Sequence, residues 1–141
     1  MKSKINLAFE KCKKQNRPAL LTYTVAGDNT KKNSLKILNA ISKPHNTPIA
    51  DGGQIQGSSY RSLKNGMKLK DVFHIVKNFK KKNPLKPLIL MGYYNLIYQN
   101  GENNFLKSCK SSGVDGLIVV DLPWPENKKF AKKSKKKSIS F

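Results

Sequence analysis

The chain has 141 residues, with 28 Lys+Arg against 8 Asp+Glu for a formal net charge of +20. That length suits a single domain over 1–141, and 38% hydrophobic residues leave it a thin core. Apolar runs such as 88–91 and 117–120 are four residues long, far from the roughly 18 that span a bilayer, and the N-terminus has no signal-peptide apolar region, so a membrane is excluded and a cytoplasmic location expected.

Residues 19–26, Ala-Leu-Leu-Thr-Tyr-Thr-Val-Ala, are β-branched and apolar and close on the turn signal Gly27-Asp28-Asn29, so they read as a buried strand. Asn29 or Thr30 can cap a helix running to about Lys43, whose apolar side is Leu35, Leu38 and Ile41. Residues 44–53, with two prolines and a Gly pair, form a loop. A short helix over 54–62 and a second over 70–82 follow, the latter with Val72, Phe73, Val76 and Phe79 on its apolar side and Pro84 as its stop. Residues 87–91 read as the next buried strand and 105–112 as a helix with Gly113 at its C-cap. A further strand over 114–120, a helix over about 126–136 and the start of a strand at 138–141 complete the pattern. Strands alternating with helices call for a parallel sheet.

From Pro87 to Asp115 is 28 residues and from Asp115 to Ser138 is 23, each the length of one strand–helix unit. From Ala19 to Pro87 is 68, room for two units, yet nothing between them reads as a strand. The spacing therefore implies that a strand is missing just before Pro44. The three or four strands that remain are an incomplete set, because a barrel of this type closes with eight.

The charge names no partner by itself. Of the 28 basic residues 26 are Lys, and Arg occurs only at Arg17 and Arg61, although guanine readout and forked phosphate contacts favour Arg. The Lys runs at 80–82 and 132–137 carry no interleaved aromatic residues for base stacking, and lysine on solvated helix faces explains them without nucleic acid. Cys12 and Cys109 lack metal-site spacing, so no metal is expected. His45 and His74 are isolated, and Trp124, flanked by prolines, is expected to pack.

Four stretches together resemble one family. They are Tyr23-Thr24-Val25-Ala26-Gly27-Asp28, Pro48-Ile49-Ala50-Asp51-Gly52-Gly53-Gln54-Ile55-Gln56, Met91-Gly92-Tyr93-Tyr94-Asn95, and the run 113–123 ending Val120-Asp121-Leu122-Pro123. In this order they resemble the tryptophan synthase alpha subunit, and the Ala-Asp-Gly loop leading into Gln-Ile-Gln is the most specific of them. The resemblance implies an α/β fold of the (β/α)8 barrel family and retro-aldol cleavage of indole-3-glycerol phosphate to indole and glyceraldehyde 3-phosphate in tryptophan biosynthesis. It implies no cofactor for this subunit, pyridoxal phosphate belonging to the partner beta subunit of an alpha2-beta2 assembly.

By the same resemblance Asp51 is the catalytic carboxylate that accepts the indole N–H, while Tyr23, Tyr93 and Ile118 wall the substrate pocket. The chemistry needs such a group, because protonating indole C3 to make it a leaving group builds positive charge at the ring nitrogen. A second carboxylate, a Glu at the end of the second strand, has no counterpart where Ser42-Lys43 abuts Pro44. That is the gap exposed by the strand spacing, so the chain is expected to be inactive on its own. Thr47 replaces the acidic residue that the family carries between the loop prolines. Asp121 ends a strand, where either a functional or a capping role fits. Two other readings stay open at this point: another phosphate-handling (β/α)8 enzyme, and a basic nucleic-acid-binding protein.

Overall fold

The computed structural model describes residues 3–28, 30–41 and 53–141. The elements run α1 (Lys4–Lys14), α2 (Lys31–Ile41), α3 (Gly53–Lys64), α4 (Leu69–Lys82), β1 (Ile89–Gly92), α5 (Tyr94–Asn100), α6 (Glu102–Ser112), β2 (Gly116–Val119) and α7 (Lys128–Lys136). They fall into two compact units, one of residues 1–19 with 85–141 and the other of residues 20–84.

The first unit is built on β1 and β2, which pair in parallel with Ile89 opposite Gly116 and Met91 opposite Ile118. A bridge from Gly116 to Ser140 marks where the expected strand at 138–141 begins. Between β1 and β2 the chain crosses over through α5 and α6, and α6 packs on α5 and α7. Leu88, Leu106, Cys109, Leu117, Phe130 and Ile139 are buried there. Phe130 meets Tyr94 and Phe141 edge-on, with ring centroids 6.1 and 5.2 Å apart. Such T-shaped pairs set the positive ring edge against the negative face. Gly113 caps α6 in the left-handed region at φ 93°, as its sequence position foretold.

In the second unit α2 packs on α4, and Ile75, Val76 and Phe79 are buried. Thr30 opens α2 by accepting the Asn33 N–H at 3.1 Å. The expected extension of α2 to Lys43 lies outside the described residues, as does the loop as far as Gly52.

Residues 19–26 correct the sequence reading, because they adopt no strand. Extended, β-branched backbone becomes a strand only when a neighbour completes the ladder, and no strand is described between residues 20 and 84. The segment is held at its end instead. The Gly27 N–H donates to buried Ser34 Oγ at 2.7 Å, and Ser62 Oγ donates to the Ala26 carbonyl at 2.7 Å. Of the three to four strands expected, two are therefore formed among the described residues, with the bridge at Ser140 as the start of a third. Two helices, α1 and α5, were not anticipated.

Candidate active site

Side chains alternate across a strand, so Ile89, Met91 and Tyr93 share a face with Gly116, Ile118 and Val120. One end of this face is closed. A Cβ on Gly116 would lie 2.9 Å from Ile5 Cδ1 of α1 and 3.4 Å from Ile89 Cγ1. Toward the C-terminal ends of the strands the face opens, leaving Met91 52%, Tyr93 63%, Ile118 44% and Val120 54% exposed. Functional groups of parallel α/β barrels gather at that end.

Two of the expected pocket residues, Tyr93 and Ile118, thus stand on the same open face. Met91 and Val120 flank them and were missed by the sequence reading. The alternation within Leu-Ile-Leu-Met-Gly-Tyr and Leu-Ile-Val-Val was the signal that could have found them. Tyr23 belongs to the other unit, on the irregular segment before Gly27. Asp51, the expected catalytic carboxylate, lies outside the described residues, as does His45.

The open end is anchored by hydrogen bonds. Asp121 Oδ1 accepts the Tyr94 N–H at 2.7 Å, and the Val120 N–H donates to the Gly92 carbonyl at 3.1 Å. Of the two roles open to Asp121, it fills the capping one, at the first residue of α5. Together the two bonds hold the backbone on either side of Tyr93.

Other carboxylates are committed to structure. Glu102 accepts the Tyr94 hydroxyl at 2.6 Å and pairs with Lys133. Burial favours the neutral acid there, but the Lys133 and Tyr94 donors outweigh it and hold Glu102 below its ordinary range. Glu102 in turn pushes the Tyr94 hydroxyl up to about 12, with burial assisting. Asp115 accepts the Leu88 N–H at 2.9 Å, and Asp71 pairs with Lys31 at 2.8 Å. In the second unit an open cleft of about 600 Å³ is lined by Asp28, Asn33, Lys36, Ile37 and Arg61. It contains none of the expected site residues, and Arg61 Nε is bound to Asp28 Oδ1 at 2.7 Å. Among the described residues no three His, Cys, Asp or Glu side chains could hold a metal ion. Trp124 also departs from expectation. It stands exposed, with Lys128 Nζ 4.2 Å from its ring centroid.

The family model described as tryptophan synthase alpha chain matches residues 9–141. The chain belongs to that family. A tryptophan synthase alpha chain of Pelagibacter ubique (strain HTCC1062) is 70% identical, covering 99% of this chain and 56% of the relative. That of Pyrococcus furiosus is 44% identical, covering 86% and 52%. The crystal structure of tryptophan synthase subunit alpha from Legionella pneumophila superposes with a TM-score of 0.90 at 30% identity, covering 99% of this chain and 57% of that one. The fold is accordingly that of the (β/α)8 family, of which the β1–α5–α6–β2 crossover is a part. The chain spans about half the length of the curated relatives it matches. The Pelagibacter alignment runs over 148 positions against the 141 residues here, so at least seven positions face a gap in this chain.

Proposed function

We propose that the chain carries part of the substrate pocket of a tryptophan synthase alpha subunit, the lyase that cleaves indole-3-glycerol phosphate to indole and glyceraldehyde 3-phosphate. One observation carries the reading. In a chain of this family, Tyr93 and Ile118 stand with Met91 and Val120 on the open, apolar end of the β1–β2 face. A flat apolar ring fits such a wall, which is predominantly hydrophobic as ligand pockets are. By the family's pattern, Asp51 is the proposed acceptor of the indole N–H, and Tyr23 is proposed to contact substrate from its own unit. The pocket needs no cofactor of its own, and the cytoplasm is its proposed location.

The partner proposed is a beta subunit carrying pyridoxal phosphate, since a Pyrococcus furiosus relative was solved in a tryptophan synthase complex. The strand spacing of the sequence implies the loss of the strand that should precede Pro44, and with it the second carboxylate. The 141-residue chain is therefore inactive as a lyase while keeping the apolar wall. The test is in two parts, an assay for indole release from indole-3-glycerol phosphate and an NMR titration with indole. The expected result is no indole release, together with shifts at Tyr93, Met91 and Ile118 that Ile118→Asp abolishes. Release of indole would overturn the inactivity, and an indole-insensitive spectrum would overturn the pocket.

A further inference from the structure

We propose that Asp121 is a positioning residue for the substrate pocket: it takes over the capping of α5 and so leaves the N-cap position to an aromatic pocket wall, Tyr93. The proposal rests on the pocket reading above, and in it Asp121 acts through Tyr93 rather than on the substrate.

The first N–H groups of a helix have no partner within it, and the residues preferred at the N-cap are short ones, Ser, Thr, Asp or Asn, whose own oxygen accepts one of them. Tyr93 holds the N-cap of α5 in extended backbone, at φ −99° and ψ 147°, and its side chain makes no capping bond. The acceptor comes instead from the end of the neighbouring strand. Asp121 Oδ1 takes the Tyr94 N–H at 2.7 Å, across 27 residues of chain. A helix of seven residues is marginal on its own, so this anchor decides where α5 begins.

The same bond aims Tyr93. The peptide group before Tyr93 is fixed by the Gly92 carbonyl, which accepts the Val120 N–H at 3.1 Å, and the one after it by the Tyr94 N–H on Asp121. Two held peptide planes fix φ and ψ of the residue between them, and with these the direction of its Cα–Cβ bond. Both holds come from consecutive residues, 120 and 121, at the end of β2. With its ring 63% exposed, Tyr93 depends for its direction on the backbone that carries it. Without the Asp121 acceptor, ψ of Tyr93 can fall toward the helical value of about −40°, α5 gains a residue, and the ring leaves the wall for part of the time. Apparent affinity then drops by the fraction of time the wall is lost.

The test is an NMR titration of the 141-residue chain with indole, comparing Asp121→Ala, which removes the acceptor, with Asp121→Asn, which keeps a side-chain oxygen for the Tyr94 N–H. Asp121→Ala is expected to weaken indole about threefold to tenfold and to shift the Tyr93 ring signals even without indole. Asp121→Asn is expected to stay within about twofold of the parent chain. Unchanged amide signals of buried Leu106 and Cys109 show that the fold is kept. Hydrogen exchange gives a measurement that needs no variant, since the Tyr94 amide of the parent chain is expected to be protected. A freely exchanging Tyr94 amide overturns the proposal, as does equal loss of affinity in both variants. A parent chain that responds to indole and an Asp121→Ala chain that binds it equally well overturn this proposal alone. A parent chain indifferent to indole overturns the pocket reading and the proposal with it.

Discussion

Glu102 links three helices. Its two oxygens take the Tyr94 hydroxyl and the Lys133 ammonium, tying α6 to α5 and α7. Glu102→Gln keeps an acceptor for Tyr94 but gives up the charge. Because Lys133 is half exposed, the expected loss of unfolding free energy, read by urea denaturation, is about 0.5–1 kcal/mol. The variant should also bring the Tyr94 hydroxyl down from about 12 toward its ordinary value of 10, read from tyrosine ring shifts in an NMR titration. An unmoved Tyr94 would show that the charge of Glu102, as distinct from the hydrogen bond that Gln keeps, does not raise it. The signs for pH follow from the same groups. Tyr94 is raised, so its contribution is complete below pH 10 and is lost as pH climbs from 10 to about 12. Glu102 and Asp71 are lowered, from 4.5 and 3.8, so theirs is complete above those values and is lost as the solution is acidified through the lowered ones. Unfolding monitored against pH should therefore show a plateau with losses at both ends. Cys109 gives an independent check. Fully buried, its thiol is pushed up to about 12 by desolvation, so a thiol reagent at neutral pH should label half-buried Cys12 and reach Cys109 only after denaturation.

Among the elements, several helices were legible in the sequence from an apolar stripe, a stop or a cap. α4 shows its apolar side and its Pro84 stop, and α6 ends on Gly113. The α1 helix went unread although Ser3 caps it by accepting the Asn6 N–H at 3.2 Å, because its basic, half-exposed residues hide the Ile5-Ala8-Cys12 stripe. The α5 helix is only seven residues long, too short for a periodic pattern to emerge. The segment before Gly27 failed in the opposite direction. Its residues have strand propensity, but propensity supplies no partner, and among the described residues no strand lies between it and β1 for it to pair with. The site was legible in the same proportion. Tyr93 and Ile118 came from motifs, whereas Met91 and Val120 needed the register of β1 against β2. The cap at Gly113 can be tested directly. At φ 93° an alanine Cβ is strained, so Gly113→Ala should cost about 1 kcal/mol in urea unfolding, and an unchanged midpoint would show that the cap carries no weight. The buried Ser34 hydroxyl that accepts the Gly27 N–H offers a second test. Ser34→Ala leaves that N–H without its partner, at an expected cost of about 1–3 kcal/mol.

For the whole molecule the deciding quantity is charge. The 28 basic and 8 acidic residues leave +20 on 141 residues, and the described ion pairs involve largely exposed lysine or arginine groups. Each such pair contributes about 0–1 kcal/mol and is weakened by salt. Repulsion among the unpaired lysines acts across the whole surface and opposes compaction, and it too is weakened by salt. The two effects have opposite signs, so the salt dependence of stability reveals which is larger. With positive charges outnumbering negative ones by more than three to one, repulsion wins, and the urea unfolding midpoint should rise as sodium chloride is added. Urea is the denaturant of choice, because guanidinium is itself a salt and would screen the repulsion under study. A midpoint that falls with salt would mean that the few ion pairs, such as Lys31–Asp71 and Arg61–Asp28, hold the fold against its own charge. A rising midpoint makes the lysines a burden that the fold tolerates, consistent with the exposed positions of the α7 lysines.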